Sequence, residues 1–288
     1  MRAFNKSKKR VPRSQRVMRA VSHKATWWIG KTFPTAVPLV YVVGYPKSGT
    51  TWVCQLLGDY LQLPFPRGSL LPVTCPAVVH GHETVRPGDK HAAYVVRDGR
   101  DVMASLYFHL TRHIPEGDRP KLSSREKKMF PGMVNKADVA TNFPRFLEAQ
   151  MRDPFASKHH WGEHVRRSLE QERPGIAVVR YDALLSDGAS ALTSVIETIT
   201  GAEADPERVG WTVEKFSFAR QSGRSAGKEN RTSFLRKGTS GDWRNHFSRE
   251  SAEIFDRFCG EALVAAGYEA DRSWVNTVET VGASGASA

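Results

Sequence analysis

The sequence predicts an α/β protein with a mostly parallel central sheet and helices on both faces. Three observations carry that expectation. Short runs rich in β-branched residues at 39–43, 77–80, 91–96 and 176–181 alternate with longer stretches of helical spacing, the order that builds parallel strand–helix–strand units. These runs are mostly apolar, with polar residues only at their ends, as strands buried on both faces are. The first run leads through a tight, Gly-containing loop straight into a helix, over residues 39–63.

The 288 residues suffice for one large domain with a full core. The expected organisation is a flexible basic arm over 1–34, one domain over 35–272 and a disordered tail over 273–288, which ends in GASGASA. Net charge is +12, and residues 1–31 alone hold ten Lys or Arg and no acid. The body is therefore near neutral. Residues 17–33 have the spacing of an amphipathic helix, with Val17, Val21 and Trp28 toward one side. The basic arm is either a solvated tail whose aromatic end packs on the domain or a contact for an anionic membrane surface. No nucleic-acid partner is expected. The three cysteines, Cys54, Cys75 and Cys259, form neither a disulfide framework nor a metal-ligand cluster. Free thiols fit a cytoplasmic location. No apolar run reaches membrane-spanning length, and the basic N-terminus lacks the apolar segment of a secretory signal.

In order along the chain, 39–43 is the first strand. Gly44 to Thr50 is a loop carrying Gly44, Pro46 and Gly49. Trp52, Val53, Leu56, Leu57 and Tyr60 then recur at helical spacing. Strand, loop and helix of this kind turn backbone N–H groups and a helix N-terminus toward an anion. Lys47 adds a full charge, and Ser48, Thr50 and Thr51 add hydroxyl donors. In a nucleotide-triphosphate loop the Lys directly follows the second Gly. Here it precedes Gly49 by two positions, which sets the lysine on the loop's crest.

Four prolines mark 64–76 as loop. The short strand at 77–80 delivers His80, His82 and Glu83 to its carboxyl end, where open α/β sheets place their chemistry. Arg97 leaves the end of the next strand, and Asp101 is expected to cap a helix through residue 110. The polar stretch 111–140 is expected to be an acceptor-site lid. Helices follow near 142–151, 160–172, 189–200, 205–216 and 249–266. A last strand at 176–181 ends at Tyr181, and 219–233 is expected to be a mobile loop.

Three motifs carry a resemblance. YPKSGTTW at 45–52, AAYVVRDGRDVMAS at 92–105 and FLRKGTSGDWRNHF at 234–247 together resemble the sulfotransferases that use 3′-phosphoadenosine 5′-phosphosulfate (PAPS), over about residues 39–260. The resemblance implies a P-loop-like fold and transfer of a sulfo group from PAPS to a hydroxyl or amine. It assigns Lys47, Ser48, Gly49, Thr50 and Thr51 to the 5′-phosphosulfate. Trp52, Phe218 and Tyr181 would contact the adenine. Arg97 and Ser105, with Arg236, Lys237 and Gly238, would hold the 3′-phosphate. The family's Lys-x-His triplet reads His80-Gly81-His82 here. His82 thus takes the general-base position, with His80 and Glu83 as rivals, and His80 replaces a cation as a pH-dependent donor. Lys47 would stabilise the departing phosphate. No metal is implied. The family's dimer segment overlaps 244–253, where Arg244, Ser248 and Glu253 fit but Arg249 stands in place of valine, which leaves the oligomeric state open. The short segment between Trp52 and His82 points to a bulky acceptor such as a glycan or glycolipid. The alternatives to a sulfotransferase are a P-loop kinase or NTPase and a non-enzymatic binder of polyanions or membranes.

Overall fold

A computed structural model describes residues 12–115, 117–225, 227–230 and 237–278. Four strands, β1 (Leu39–Gly44), β2 (Ala77–Gly81), β3 (Ala92–Val96) and β4 (Ile176–Arg180), form one sheet in the order β2-β1-β3-β4. All three pairings are parallel. The helices are α1 (Arg13–Thr32), α2 (Thr50–Tyr60), α3 (Gly99–Thr111), α4 (Ser124–Met129), α5 (Val139–Arg152), α6 (Trp161–Leu169), α7 (Tyr181–Ser186), α8 (Gly188–Thr200), α9 (Pro206–Lys215), α10 (Phe218–Ser222) and α11 (Arg249–Ala265).

The strands are mostly apolar because both faces are covered. Leu39, Tyr41 and Val43 of β1 join the core formed with α3, α5, α6 and α11, whereas Val40 and Val42 join the core formed with α2, α8 and α9. Tyr94 and Val96 against Ala93 and Val95 repeat the alternation on β3. The chain leaves β1 toward β2 on one side and returns to β3 on the other. The connection therefore reverses between β1 and β3, and the crevice beyond their carboxyl ends is where such sheets bind ligands.

Four expectations need correction. Within the arm expected to be flexible over 1–34, the helix expected over 17–33 is the 20-residue α1, which starts earlier, at Arg13, and packs its aromatic end on the sheet, so only the flexible description needs correction. Trp27 is only 6% exposed, and its ring lies tilted against Tyr41 at 4.6 Å. A Cβ on Gly30 would stand 2.6 Å from the Tyr41 hydroxyl, so the glycine permits this close approach. The face with Val17, Val21 and Trp28 points the other way and is 56–63% exposed.

The tail expected from 273 begins instead with a 3₁₀ turn, Arg272–Thr277, that buries Trp274 and Val275. Asp98, not Asp101, caps α3: its carboxylate accepts from Arg100 N at 2.9 Å. Asp101 accepts instead from the backbone N–H groups of Gly241 and Trp243 at 2.8 and 2.9 Å. It thereby ties the second motif to the third. Finally, the stretch expected as a mobile loop from 219 starts within α10, capped by Ser217.

Arg100 braces the same junction. Its buried guanidinium pairs with Asp98 at 2.7 Å and Glu269 at 2.5 Å, and lies 3.9 Å from the Trp243 ring and 4.7 Å from Trp274. Arg249 is equally committed within the chain. It donates to Glu253, to the Val275 carbonyl and to Asn276.

Candidate active site

A cleft of about 660 Å³ opens at the reversal between β1 and β3. Its floor is the loop between β1 and α2. Gly49 adopts φ +98°, and a Cβ there would lie 2.6 Å from the Tyr181 ring, so the turn needs glycine twice over. Lys47, at φ +76°, is also left-handed, a conformation that costs energy for a non-glycine residue. The loop thus raises Lys47 into the cleft, while α2 begins at Thr50 with its first N–H groups facing the loop.

Of the predicted site residues, Lys47, Gly49, Thr50, Thr51, Trp52, His80, His82, Arg97, Ser105, Tyr181, Phe218, Lys237 and Gly238 all line this one cleft. They come from segments up to about 190 residues apart in the chain. Ser48 does not line it; it lies 1% exposed beneath the loop, and its hydroxyl has no hydrogen-bond partner. Arg236 lies outside the described residues. Tyr181 opens α7 rather than ending β4.

The aromatic wall is ordered by direct contacts. Trp52 and Tyr181 meet edge to face at 5.8 Å, and Trp52 Nε1 donates to the Phe216 carbonyl at 2.9 Å. Arg97 lies 4.4 Å over the Tyr181 ring and donates to the carbonyl oxygens of Thr239 and Lys47 at 3.1 and 3.4 Å. Its Nε is buried with no partner. A buried orphan donor costs about 1–3 kcal/mol. The orphan at Arg97 Nε, beside the Lys47 charge, fits a bound oxyanion. Lys237 is salt-bridged to Asp242.

The histidines sit beside the loop. Thr50 Oγ1 and His80 Nε2 are hydrogen-bonded at 2.8 Å, and the His80 and His82 rings meet edge to face at 4.6 Å. His82 Nδ1 donates to the Gly44 carbonyl at 2.9 Å. Its Nε2 is then the nitrogen with the lone pair. Burial holds His82 below its ordinary pKa, opposed by the Gly44 bond. For His80, burial and then His82 and Arg67 push the value down to about 3. Burial thus favours the neutral form of His80 over the protonated donor that the resemblance implies. Glu83 turns to the opposite side: its Oε1 accepts from His23 Nε2 of α1 at 3.1 Å, and it does not line the cleft.

Several cleft residues escaped the sequence reading. His109 follows Ser105 by one turn of α3, and burial and then Lys47 lower its pKa to about 4. His164 lies behind the site, its Nε2 donating to the His82 carbonyl at 3.1 Å and its Nδ1 accepting from Tyr94 Oη at 3.0 Å. In the sequence it was one histidine on the apolar face of α6. Arg67, Arg125, Leu106, Leu110 and Phe155 also line the cleft.

These features define an α/β scaffold in which a glycine-containing loop with a lysine at its crest shares one cleft with a pair of buried histidines. The sulfotransferase-domain family model matches residues 89–267, and the chain belongs to the sulfotransferases, enzymes that move a sulfo group to an acceptor. It is 25% identical to sulfotransferase 2A2 of Mus musculus over 259 residues, covering 77% of this chain and 83% of the relative. Identity with the amine sulfotransferase of Oryctolagus cuniculus is 24% over 263 residues, with 78% and 80% covered. Among solved structures, mouse sulfotransferase SULT7A1 complexed with PAP superposes with a TM-score of 0.62 at 18% identity, covering 90% of this chain and 94% of that one. Retinol dehydratase in complex with retinol and PAP superposes at 0.56 and 16% identity, covering 88% and 95%. At these identities the structural likeness is one of fold.

Proposed function

We propose that the donor is PAPS and that His82 is the general base for its transfer to an acceptor hydroxyl or amine. The observation that carries the reading is convergence. Three anion-motif segments, 45–52, 97–105 and 237–238, meet the His80–His82 pair in one cleft. The PAP named in the complexes of two structural neighbours fits the same donor class.

The donor supplies the sulfuryl group and departs as 3′-phosphoadenosine 5′-phosphate (PAP). Trp52, Tyr181 and Phe218 offer flat faces to the adenine. Arg97, Ser105, Lys237 and Gly238 hold the 3′-phosphate, and the unsatisfied Arg97 Nε accounts for one donor there. Thr50, Thr51 and the α2 N-terminus hold the 5′-phosphosulfate with Gly49 and Lys47. Ser48 contributes from beneath the loop. His82 Nε2 accepts the acceptor's proton as the new O–S (or N–S) bond forms. Lys47 meets the charge that grows on the departing phosphate oxygen. His80 acts as a neutral partner that orients Thr50. Arg236, outside the described residues, is assigned to the same 3′-phosphate clamp by its motif.

The test is two-part. Calorimetry with PAP reads the donor site, and radiolabelled sulfate transfer from PAPS across an acceptor panel reads the reaction. PAP binding without any transfer would leave a nucleotide-binding protein and overturn the catalytic reading.

We also propose a cytoplasmic enzyme whose α1 touches an anionic membrane surface. No helix among the described residues is long and apolar enough to cross a membrane. The support for surface contact is the exposed stripe of Val17, Val21 and Trp28, with Arg13, Lys24 and Lys31 alongside it at helical spacing. Co-sedimentation with phosphatidylcholine vesicles containing phosphatidylglycerol should fall with added salt and on Trp28→Ser. Equal sedimentation with uncharged vesicles would overturn it.

A further inference from the structure

We infer that the acceptor is an amphiphile, an apolar body bearing an oxyanion, with Arg67 and Arg125 reading the anionic group. The inference rests on the donor assignment above, because it asks which cleft residues that assignment leaves over.

Helix α3 supplies the ruler. Ser105 belongs to the donor motif; Leu106, His109 and Leu110 follow it along the cleft. At 1.5 Å per residue the wall continues about 7 Å past Ser105. Phe155, from the connection between α5 and α6, lines the same cleft, as do Arg125 of α4 and Arg67 of the loop after α2. None of these residues belongs to the three donor motifs. Leu106, Leu110 and Phe155 make this part of the wall apolar enough to take a hydrocarbon body.

The charge is lopsided. Among the described residues the cleft is lined by Lys47, Arg67, Arg97, Arg125 and Lys237, and by no Asp or Glu. Lys47, Arg97 and Lys237 are used by the donor motifs, and Lys237 is already matched by Asp242. Burial keeps His80 and His109 neutral near pH 7. The two cleft cations outside the donor motifs are therefore both guanidinium groups. Arg67 lies close enough to His80 to depress its proton affinity, which places its field at the reacting end. Same-sign charge on a low-dielectric wall concentrates ions of the opposite sign. A planar guanidinium fork matches a carboxylate or phosphate in two parallel hydrogen bonds.

The experiment compares three acceptors of one chain length: 12-hydroxydodecanoate, 12-hydroxydodecyl phosphate and the neutral methyl 12-hydroxydodecanoate. Binding to the PAP-loaded enzyme and kcat/KM with PAPS are measured for wild type, Arg67→Gln and Arg125→Gln. At least one anionic acceptor should exceed the ester by about tenfold or more in wild type, and which one does so separates carboxylate from phosphate recognition. That ratio should shrink toward one in each variant while PAP affinity stays within twofold. An ester that binds as well as both anions, a ratio that survives both substitutions, or failure of all three to bind would overturn the inference. A tenfold loss of PAP affinity in the two variants would assign the arginines to the donor and overturn it as well. Loss of PAP binding by the wild type would instead overturn the donor reading.

Discussion

His82 holds its Nδ1 2.9 Å from the carbonyl oxygen of Gly44, the last residue of β1. A backbone carbonyl accepts only, so this bond fixes the tautomer and leaves Nε2 basic. The same loop that carries Lys47 therefore orients the proposed base.

Replacing that base should be costly to turnover alone. His82→Ala is expected to lower kcat by roughly 10²–10⁴-fold, with PAP affinity by calorimetry unchanged. A variant that retains wild-type kcat would remove His82 from the mechanism.

The pH profile should follow from burial. His82 works deprotonated, and its pKa is depressed. Activity should therefore persist as pH falls through the ordinary histidine value of about 6.5, and decline only below it. An acidic limb centred at or above pH 6.5 in kcat/KM would contradict the depressed value.

Glu83→Gln tests the rival carboxylate. Its side chain is bonded to His23, away from the cleft, so turnover should stay near wild type. Stability should fall modestly, since an amide keeps one hydrogen bond but loses the charge. Abolished turnover with an unchanged melting temperature would make Glu83 the base.

Acid stability provides a further check. His80, with a folded value of about 3, and His164, at about 4, are depressed chiefly by burial. In the unfolded chain both protonate near pH 6.5. The unfolded state then binds more protons below that pH, so stability should fall as pH drops from about 6.5 toward 4. His164→Gln should flatten part of that slope in urea titrations; an unchanged slope would exclude His164 as a contributor.

Trp27→Ala should destabilise the fold by about 3–5 kcal/mol, the usual cost of emptying a buried tryptophan site. The residue is 6% exposed against Tyr41. A melting temperature equal to wild type would show that α1 is dispensable, as its charge alone suggested.

The four strands were legible to within about a residue, because their apolar runs are continuous and short. So was the anion loop, whose Gly44, Lys47 and Gly49 form one local turn. The motifs also pointed to the cleft residues from Trp52 to Gly238. The boundary of the arm was not legible. A helix with a packed aromatic end was expected over 17–33, but its start at Arg13 and the close approach to β1 that Gly30 permits were not. Nor could the sequence separate Asp98 from Asp101 as the α3 cap, since both types suit that position. Asp101 is claimed by the backbone of Gly241 and Trp243, some 140 residues away.

By itself, then, the sequence determined a parallel α/β chain with a phosphate-type loop, since strand burial and turn chemistry are local properties. Only the tertiary structure decided that His80 and His82, but not Glu83, line the cleft, that burial depresses His80, and that Arg67 and Arg125 line it too. Those outcomes depend on burial and on contacts between distant segments. Glu83 meets His23 across 60 residues, and His164 reaches the His82 carbonyl across 82. No local pattern encodes such distances, because they arise only when the helices close over both faces of the sheet.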